Sequence, residues 1–541
     1  MTAHAWQHAN APRRGSAILL ALFFLTALFL LAQAFQKLLP VELNAALIHQ
    51  TDTSAYFAAD AGVQDAIAYI ENQLANGREP LTAASSTRSG AIGTWTWTSI
   101  LTADSQSPPN GQNPVRYYTV ASTAHLNGRP MRRITTSVGQ QSFARFALYS
   151  DKSDPNAAFN TSSLGLAKEG PVHINDPIKI WTYPNQYDGS YKPHFLSTVT
   201  SATRVAGSAD GVAYWNGNGG GSGSTGYPPY DSNGNPVPGH YETIYAQGRV
   251  ALNTGVSRIE LPPTTSALAN AAWGDPTMPA PTTAGVYVNQ AKTGNDAAGG
   301  IYIVGGVSKM EMSVDGGGNR VLTITQASGK TVVTETLSSA VTAPGGQNVP
   351  QGRTLVVPPS GKSQVLNTLT NGVVFSTGTI ASLSGTSKGA RTISTDVDAQ
   401  AEIVVGGSIT RSDTTPGQAP TGSTDNLGLV SYNLRFPSSL PRSTNPANKL
   451  YVYAAILAGV PGGNGGAVYE NISGPVGLLD IYGSLSVASK SPKAQSNGVQ
   501  VTGGWSGKTY YDPNLASTPP PFYPTLNSFS LKSWKDEASP R

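Results

Sequence analysis

One apolar run near the start of the chain constrains the fold more than any other feature. Two arginines and Gly15 precede residues 16–35, an apolar segment that only Thr26 and Gln33 interrupt. At about 1.5 Å per residue, a helix of this length spans about 30 Å, the thickness of a bilayer core. The arginines before it place the N-terminus in the cytoplasm by the positive-inside rule. The sequence therefore predicts a cytoplasmic leader at residues 1–15, a transmembrane helix at residues 16–40 and an exported remainder.

The helix is predicted to continue beyond the membrane as an amphipathic segment. Pro40 is expected to kink or briefly break it, and Asn76-Gly77 is a typical stop signal. Apolar residues recur between these points at steps of three and four, which places them on one helix face. These positions are Tyr56, Ala59, Val63, Ile67, Ile70 and Leu74. The pattern indicates one long helix whose second half packs on a globular domain.

This layout resembles the N-terminal segment of type IV pilin-like proteins. The resemblance is carried by Arg14-Gly15 before the apolar run and by residues 55–66, which contain Ala-Ala-Asp-Ala-Gly. The second stretch is similar to the Ala-Ala-Glu-Ala-Gly-rich stretch of the PilX group of minor pilins. In that family a prepilin peptidase cuts after the glycine, which implies cleavage between Gly15 and Ser16. Major pilins have a glutamate at the fifth mature position, where this chain has Leu20. The resemblance therefore implies a minor pilin or a pseudopilin rather than a major subunit.

The same region allows two other interpretations. Ala32-Gln33-Ala34 is an A-x-A pattern behind a basic and an apolar region, so signal peptidase is a candidate to cut before Phe35. An uncleaved membrane anchor is the other alternative. Neither explains the Ala-rich continuation of the helix, in which Ala58, Ala59 and Gly62 would allow close packing on the head or on neighbouring helices.

Composition restricts what the remainder of the 541 residues does. Cysteine is absent, which excludes disulfides, thiolate zinc sites and cysteine nucleophiles. Charged residues make up 12% of the chain, glycine occurs 59 times, and no basic block follows Arg132-Arg133. The chain therefore has no nucleic-acid signature, and its composition favours a β-rich fold.

The predicted β structure falls into two parts. An alternating Thr-Trp segment and the Asn127-Gly128 turn predict a small antiparallel pilin-like head within residues 41–140. In residues 141–541, short β segments alternate with glycine corners, as in residues 300–307 and 401–409. This favours a large β-solenoid, with a β-sandwich as the alternative. Residues 143–535 also look like an uncharacterised β-rich passenger found behind pilin-like helices.

No constellation of residues indicates catalysis, and we expect no cofactor and no metal. Gly385-Thr386-Ser387-Lys388-Gly389 matches G-x-S-x-G, but a β segment rather than a helix is expected after the serine. Asp396 and Asp398 would share a strand face, as glycosidase acids do on a solenoid. His173 is expected to be a hydrogen-bonded residue inside the β structure. Calcium is weighed for Asp296, Asp315 and Asp413, which lie in turns without calcium-loop spacing.

Three functions are compatible with this pattern. The first is a non-enzymatic minor pilin-like or pseudopilin-like subunit in the inner membrane, whose partners are prepilin peptidase and the helices of other pilins. The second is a membrane-anchored β-helix enzyme acting on carbohydrates, which the sparse charges do not favour. The third is an adhesin that contacts surface polysaccharide through exposed aromatic residues. The candidates for that contact are Tyr183, Tyr187, Tyr191 and Trp215.

Overall fold

The protein is described by a computed structural model, and it is mainly β with one long apolar helix at the N-terminal end. Nothing outside the described residues enters the account below. The described residues are 14–75, 81, 85–103, 117–153, 167–182, 194–208, 210–216, 244–274, 279–290, 299–335, 347–348, 352–356, 363–368, 370–496 and 501–538.

The helices and strands are numbered in chain order. The α-helices are α1 (Arg14–Ala75), α2 (Ser266–Trp273) and α3 (Asn514–Ser517). The first strands are β1 (Ser85–Ile92), β2 (Trp95–Ala103), β3 (Tyr117–Leu126), β4 (Arg129–Ser142), β5 (Leu148–Ser153), β6 (Ala167–Lys168), β7 (Val172–Ile174), β8 (Lys179–Thr182), β9 (His194–Phe195), β10 (Val199–Ser201), β11 (Ala213–Asn216) and β12 (Leu252–Thr254). The next are β13 (Gly285–Gln290), β14 (Ile301–Val304), β15 (Lys309–Val314), β16 (Arg320–Gln326), β17 (Gly329–Glu335), β18 (Gln347–Asn348), β19 (Gly352–Val356), β20 (Ser363–Thr368), β21 (Val373–Ser376), β22 (Ile380–Ser387), β23 (Arg391–Thr395) and β24 (Ile403–Arg411). The last are β25 (Leu427–Ser431), β26 (Asn433–Phe436), β27 (Leu450–Ala458), β28 (Gly466–Tyr469), β29 (Gly477–Lys490), β30 (Ala494–Ser496), β31 (Val501–Ser506), β32 (Thr509–Tyr511) and β33 (Thr525–Ala538).

The chain forms two compact units. The first contains residues up to Ala103, Tyr118–Val138 and Leu531–Arg541, and the second contains Asp104–Tyr117 and Gly139–Ser530. The sequence-based division placed everything after residue 140 in one domain, whereas the last residues of the chain cluster with the first unit. The reason is that β33 pairs with β4 at the edge of the first unit's sheet.

Helix α1 has 62 residues and runs without interruption through Pro40. Of the two expectations for this proline, the break is therefore wrong, and the kink stays a prediction. A proline removes one backbone donor from the helix, and the hydrogen bonds of the turns on either side remain available to hold it. The helix ends at Ala75, directly before the stop signal at Asn76-Gly77, which lies outside the described residues.

The first unit contains an antiparallel sheet in the strand order β1-β2-β3-β4-β33. The Asn127-Gly128 hairpin is confirmed: both residues have positive φ, 51° and 78°, and they join β3 to β4. Strand β1, which the sequence pattern did not indicate, pairs antiparallel with β2 from Ser85 to Ile92. No apolar alternation marked this strand, because neither of its faces is deeply buried.

From β21 to β29, the strands of the second unit pair in parallel with the next strand but one along the chain. Before them, β14 and β15 pair in parallel with β21 and β22, whereas the pairs β13–β14, β15–β16 and β16–β17 are antiparallel. One stack contains β14, β21, β23, β25, β27 and β29, and the other contains β15, β22, β24, β26 and β28. The first stack then continues with earlier parts of the chain, β5, β7, β10 and β12. Strand β5, the next strand after β4, thus lies beside β29, which comes more than 300 residues later in the sequence.

The core of the second unit has an interior and a covering layer. Aliphatic side chains of the parallel strands fill the interior, among them Ile393, Leu429 and Ile456, which are fully buried. On the outside of the first stack, Trp273 of α2 packs edge-on against Tyr302 at 5.9 Å. Tyr523, which lies between α3 and β33, joins the same layer. Both faces of the first stack are therefore covered, which suits the near-continuous apolar sequences of β21 and β27, whereas β22, β24 and β26 of the second stack alternate in burial.

Candidate functional site

The N-terminal half of α1 is the largest exposed apolar surface of the described chain. Residues 17–50 are exposed almost throughout, and their large side chains, such as Phe24 and Leu31, are 59% and 58% exposed. An 18-residue window of this helix has a mean hydropathy of 2.5, and none of it is buried. By length and composition α1 is a candidate membrane anchor.

The C-terminal half of α1 packs on the sheet of its own unit through small side chains. The buried positions are Ala55, Ala58, Ala59, Gly62, Val63, Ala66 and Ile70. The predicted apolar stripe is therefore confirmed as the buried face at Ala59, Val63 and Ile70, whereas Tyr56 and Ile67 are only half-buried. The buried face lies closer to the alanines because the sheet approaches the helix backbone and leaves no space for larger groups.

Gly62 lies at the closest approach of helix and sheet. The Ser99 hydroxyl on β2 donates a hydrogen bond of 2.8 Å to the Gly62 carbonyl oxygen. A Cβ added at Gly62 would lie 2.3 Å from Oγ of Ser122 and 2.6 Å from Oγ of Ser99. Of the two packing roles expected for Ala58, Ala59 and Gly62, contact with the chain's own sheet is the one formed here.

An ion pair fixes the rotation of α1 against β1. The Arg88 guanidinium donates to both carboxylate oxygens of Asp65, over 2.5 and 3.1 Å. It also lies 4.5 Å from the centre of the Tyr69 ring, one helical turn further on. The hydrogen bond to Asp65 raises the pKa of Arg88. The pair is a bidentate contact, which fixes geometry better than a single point charge does.

A second contact ties the C-terminal strand to the start of the docked half. Arg132 on β4 donates to both carboxylate oxygens of Asp536 on β33, over 2.8 and 2.5 Å, and to the carbonyl oxygen of Asp52 over 3.3 Å. The hydrogen bond from Arg132 lowers the pKa of Asp536. Trp534 of the same strand lies 6.4 Å from the Tyr56 ring. Helix, sheet and C-terminus therefore meet around residues 52–56.

The residues of the expected cleavage site lie at the start of the described chain. Gly15 and Ser16 are in the first turn of α1, and the leader before Arg14 lies outside the described residues. Leu20 is 62% exposed, with no packing inside the chain.

His173 is hydrogen-bonded inside the parallel stack, as expected. Its Nδ1 lies 2.8 Å from the Thr200 hydroxyl and its Nε2 2.9 Å from the Asn175 side-chain oxygen. The ring stacks on Tyr149 with centroids 5.7 Å apart. Burial lowers the pKa of His173. With both ring nitrogens engaged and a residue exposure of 1%, the imidazole has a structural role.

The described part of the second unit also contains a buried cluster of two arginines and one carboxylate. Glu335 contacts Arg391 and, over 3.3 Å, Arg320, and it accepts a hydrogen bond from Thr370. Burial and the neighbouring Arg320 charge lower the pKa of Arg391, and burial lowers that of Arg320 to about 10. No local pattern indicates this cluster, because its members lie on three different strands, β16, β17 and β23. Arg391 is 1% exposed, so the cluster does not offer a surface site.

The motifs weighed for chemistry lack the geometry it needs. Ser387 is buried at the end of β22 and is followed by a turn, so the nucleophile elbow is excluded. Asp396 and Asp398 do not share a strand face as expected, because β23 ends at Thr395 and both lie in the following turn. There the Asp396 carboxylate caps the backbone N–H groups of Asp398 and, less closely, of the next residue.

The candidate calcium ligands also serve as turn caps. Asp315 accepts hydrogen bonds from the backbone N–H groups of Gly317 and Asn319, and Asp413 accepts from Ser423 and the N–H of Thr424. Asp296 lies outside the described residues. Within the described ranges, no group of three or more metal-ligating side chains is brought together. Of the aromatic residues considered for adhesion, residues 183, 187 and 191 and the side chain of Trp215 also lie outside them.

No family model, no curated protein and no solved structure matches this chain. The exposed half of α1 and its docked half are therefore interpreted from their own geometry.

Sequence reasoning missed the residues on the sheet side of the helix contact. Ser99 lies between Trp97 and Leu101 on the buried face of β2, and Ser122 lies between Val120 and Ala124 on that of β3. A serine in an otherwise apolar alternation is the signal that was available, since small side chains on a buried sheet face indicate close approach of another backbone.

Proposed function

We propose that this chain is a minor pilin-like or pseudopilin-like subunit that carries a large β passenger. One observation supports this most directly: a single continuous helix is exposed and apolar in its first half and docked on its own antiparallel sheet in its second half. Such a helix serves first as a single-pass anchor in the inner membrane, with the N-terminus cytoplasmic and the bulk exported. It then packs among the helices of other pilins in a type IV pilus or a type II secretion-like filament.

Cleavage by prepilin peptidase between Gly15 and Ser16 is part of the proposal. The basic residues before the glycine and the apolar helix after it support this site. Leu20 at the fifth mature position favours a minor component over a major one. A role in adhesion or secretion then follows from the passenger, which the helix would present at the cell surface.

For the passenger we propose an irregular β-solenoid. The support is the parallel pairing of the strands from β21 to β29 with the next strand but one, which places alternate strands in two separate stacks. The sheets of a β-sandwich are antiparallel, so this pairing favours stacked coils over the alternative. Glycines such as Gly385 and Gly483 lie where the backbones of successive turns come close, since a Cβ there would lie 2.0 Å from a carbonyl oxygen.

The decisive experiment is the mass of the N-terminal peptide of the full chain isolated from its native membranes. A mature start at Ser16 is expected, and Gly15→Val should retain the leader. Ala34→Leu is the matched control, because it disrupts the signal-peptidase pattern and should leave a start at Ser16 unchanged. A start at Phe35 or an intact Met1 would overturn the proposal.

A further inference from the structure

The exposed half of α1 is longer than a bilayer needs. At about 1.5 Å per residue, residues 17–50 form about 50 Å of helix, whereas a hydrocarbon core is about 30 Å thick. If the span begins at Ala17, it is complete near Lys37. The apolar residues beyond Lys37 are nevertheless exposed, with Leu38, Val41 and Ile48 at 53%, 65% and 48%. Neither the bilayer core nor the chain's own sheet covers them.

These exposed residues belong to a continuous seam of apolar side chains. Written as a heptad abcdefg, positions a and d of residues 24–48 are all apolar, which is the pattern of packed parallel helices. The seam residues are Phe24, Ala27, Leu31, Ala34, Leu38, Val41, Ala45 and Ile48. Thr26, Gln33 and Pro40 all fall at position c, away from the seam. One face of the helix is therefore apolar both inside the bilayer and beyond it.

The two formal charges of this half flank the seam. Residues 17–50 contain one Lys, Lys37, and one Glu, Glu42, and they contain no Arg or Asp. Lys37 is at position g and Glu42 at position e of the next heptad. Five residues apart, they do not face each other on one helix, where pairs form at spacings of three or four. Across two parallel helices, however, a g residue meets the following e residue of its neighbour.

We infer that the exposed half of α1 associates with the same segment of a second copy of this chain, in parallel and in register. In that arrangement Lys37 of each copy faces Glu42 of the other. An antiparallel arrangement would instead place g positions beside g positions and e positions beside e positions, so that Lys37 would have no Glu42 opposite it. A common membrane anchor also imposes parallel orientation. The partner is therefore specified by the charges, the apolar seam and the length of helix that the bilayer leaves uncovered.

The seam has a defined end. Ile48 is its last member, and the d position one heptad later is Ala55, which is 1% exposed because the chain's own sheet covers it. Beyond Ile48, this face of the helix is thus covered by the chain's own sheet rather than by the second copy. The paired segment is confined to residues 24–48, and the two helices separate where each enters its own head.

Disulfide crosslinking tests this inference directly, because the chain has no cysteine of its own. In the full chain reconstituted in liposomes, Val41→Cys at position d should form a disulfide-linked pair on mild oxidation. Leu43→Cys is the matched control, since Leu43 is 59% exposed against 65% for Val41 but lies at position f. Equal crosslinking at both positions, or none at Val41→Cys, would overturn the inference.

Charge reversal in the Val41→Cys background provides the second readout. Lys37→Glu or Glu42→Lys alone should lower the crosslinked fraction by at least about threefold, because each creates two like-charge contacts. The double variant Lys37→Glu/Glu42→Lys should restore it, and failure to do so would count against parallel pairing. In native membranes, a crosslink only to a protein of another mass would also overturn self-association. The N-terminal mass is measured on the same samples, so failure of the proposed processing is seen separately.

Discussion

The Ser99 hydroxyl donates its hydrogen bond to the Gly62 carbonyl oxygen from a strand that lies directly against the helix backbone. A hydroxyl that bonds to a helix carbonyl in this way requires a residue without a side chain beside it. The contact therefore links two features of the sequence that are 37 residues apart. It lies in the middle of the half of α1 that packs on the sheet, between the buried residues Ala55 and Ile70.

Gly62→Ala is expected to weaken the docking of the helix. The new Cβ would lie 2.6 Å or less from the hydroxyls of Ser99 and Ser122, and relieving such overlap costs about 1–3 kcal/mol. The gain in helix propensity offsets about 1 kcal/mol of this. We expect a net loss of about 1 kcal/mol, measured as faster amide hydrogen exchange of residues 55–70 in the full chain in detergent.

Two variants serve as controls for the Gly62 contact. Gln64→Ala on the exposed face should leave the exchange of residues 55–70 unchanged. Adding Ser122→Gly to Gly62→Ala removes the nearest clashing atom and should recover part of the protection. If Gly62→Ala alone protects the helix better than the wild type does, the close approach at this residue is wrong.

Glu335→Gln is expected to be strongly destabilising. It leaves Arg320 and Arg391 buried without their carboxylate, and an uncompensated buried charge costs about 3–5 kcal/mol. The measurement is the free energy of urea unfolding of the second unit, followed in the full chain. Glu311→Gln is the control, because its partner Lys309 is 51% exposed and such pairs contribute less than about 1 kcal/mol.

Replacing one of the two arginines tests the charge argument. Adding Arg391→Met to Glu335→Gln lowers the charge of the cluster from +2 to the wild-type +1, with Arg320 still unpaired, and should recover part of the lost free energy. If the double variant is less stable than Glu335→Gln, the carboxylate's packing rather than its charge determines the stability of this cluster.

The sequence was sufficient where the determinant is local. The 3.6-residue pattern of α1, the positive-φ residues Asn127 and Gly128, and the glycine corners of the second unit each depend on neighbours within a few positions. Helix α1, the β3–β4 hairpin and the largely β character of the remainder were accordingly predicted. The helix continued through Pro40 because hydrogen bonds on either side of it outweigh one lost donor, which residue propensity does not show.

The sequence was insufficient where distant segments meet. No local pattern shows that Leu148 lies opposite Leu485, or that the C-terminal strand with Asp536 completes the first sheet. The same limit applies to the way in which α1 packs on its sheet. The exposed helix was predictable from its apolar run, whereas Ser99, Ser122 and Arg132, which determine how that helix docks, were recognised only from the contacts.

Tyr482→Ala is expected to destabilise the second unit far more than Tyr482→Phe. Tyr482 stacks between Tyr453 and Tyr510 with centroids 4.4 Å away on each side, and its hydroxyl donates to the Gly417 carbonyl oxygen over 2.8 Å. Removing the ring should cost about 3–5 kcal/mol, whereas removing the hydroxyl alone should cost about 1 kcal/mol. Urea unfolding monitored by near-ultraviolet circular dichroism measures both. Equal losses would show that the hydrogen bond, not the stack, is the main contribution.

Arg435 should make the stability of the second unit depend on pH in the acidic range. Its guanidinium bridges Glu402, over 2.6 and 2.7 Å, and Glu470, over 3.0 Å, which lie at the ends of the two strands that flank β26 in the second stack. The bond from Arg435 lowers the pKa of Glu402, and bonds from the Ser438 N–H and Arg435 lower that of Glu470. Both carboxylates therefore hold their protons less well in the folded chain than in the unfolded chain.

Because these two pKa values fall on folding, the stabilisation is complete above the ordinary value of 4.5 and is lost as the pH falls through the lowered values. Arg435→Met should remove much of this loss, so that the free energy of unfolding falls less steeply between about pH 5 and pH 3. Lys330→Met, at an exposed position, is the control and should keep the wild-type slope. If the free energy of unfolding falls equally steeply for Arg435→Met and for the wild type, other carboxylates determine the acid sensitivity. The bridge that Arg435 forms between Glu402 and Glu470 would then contribute little to it.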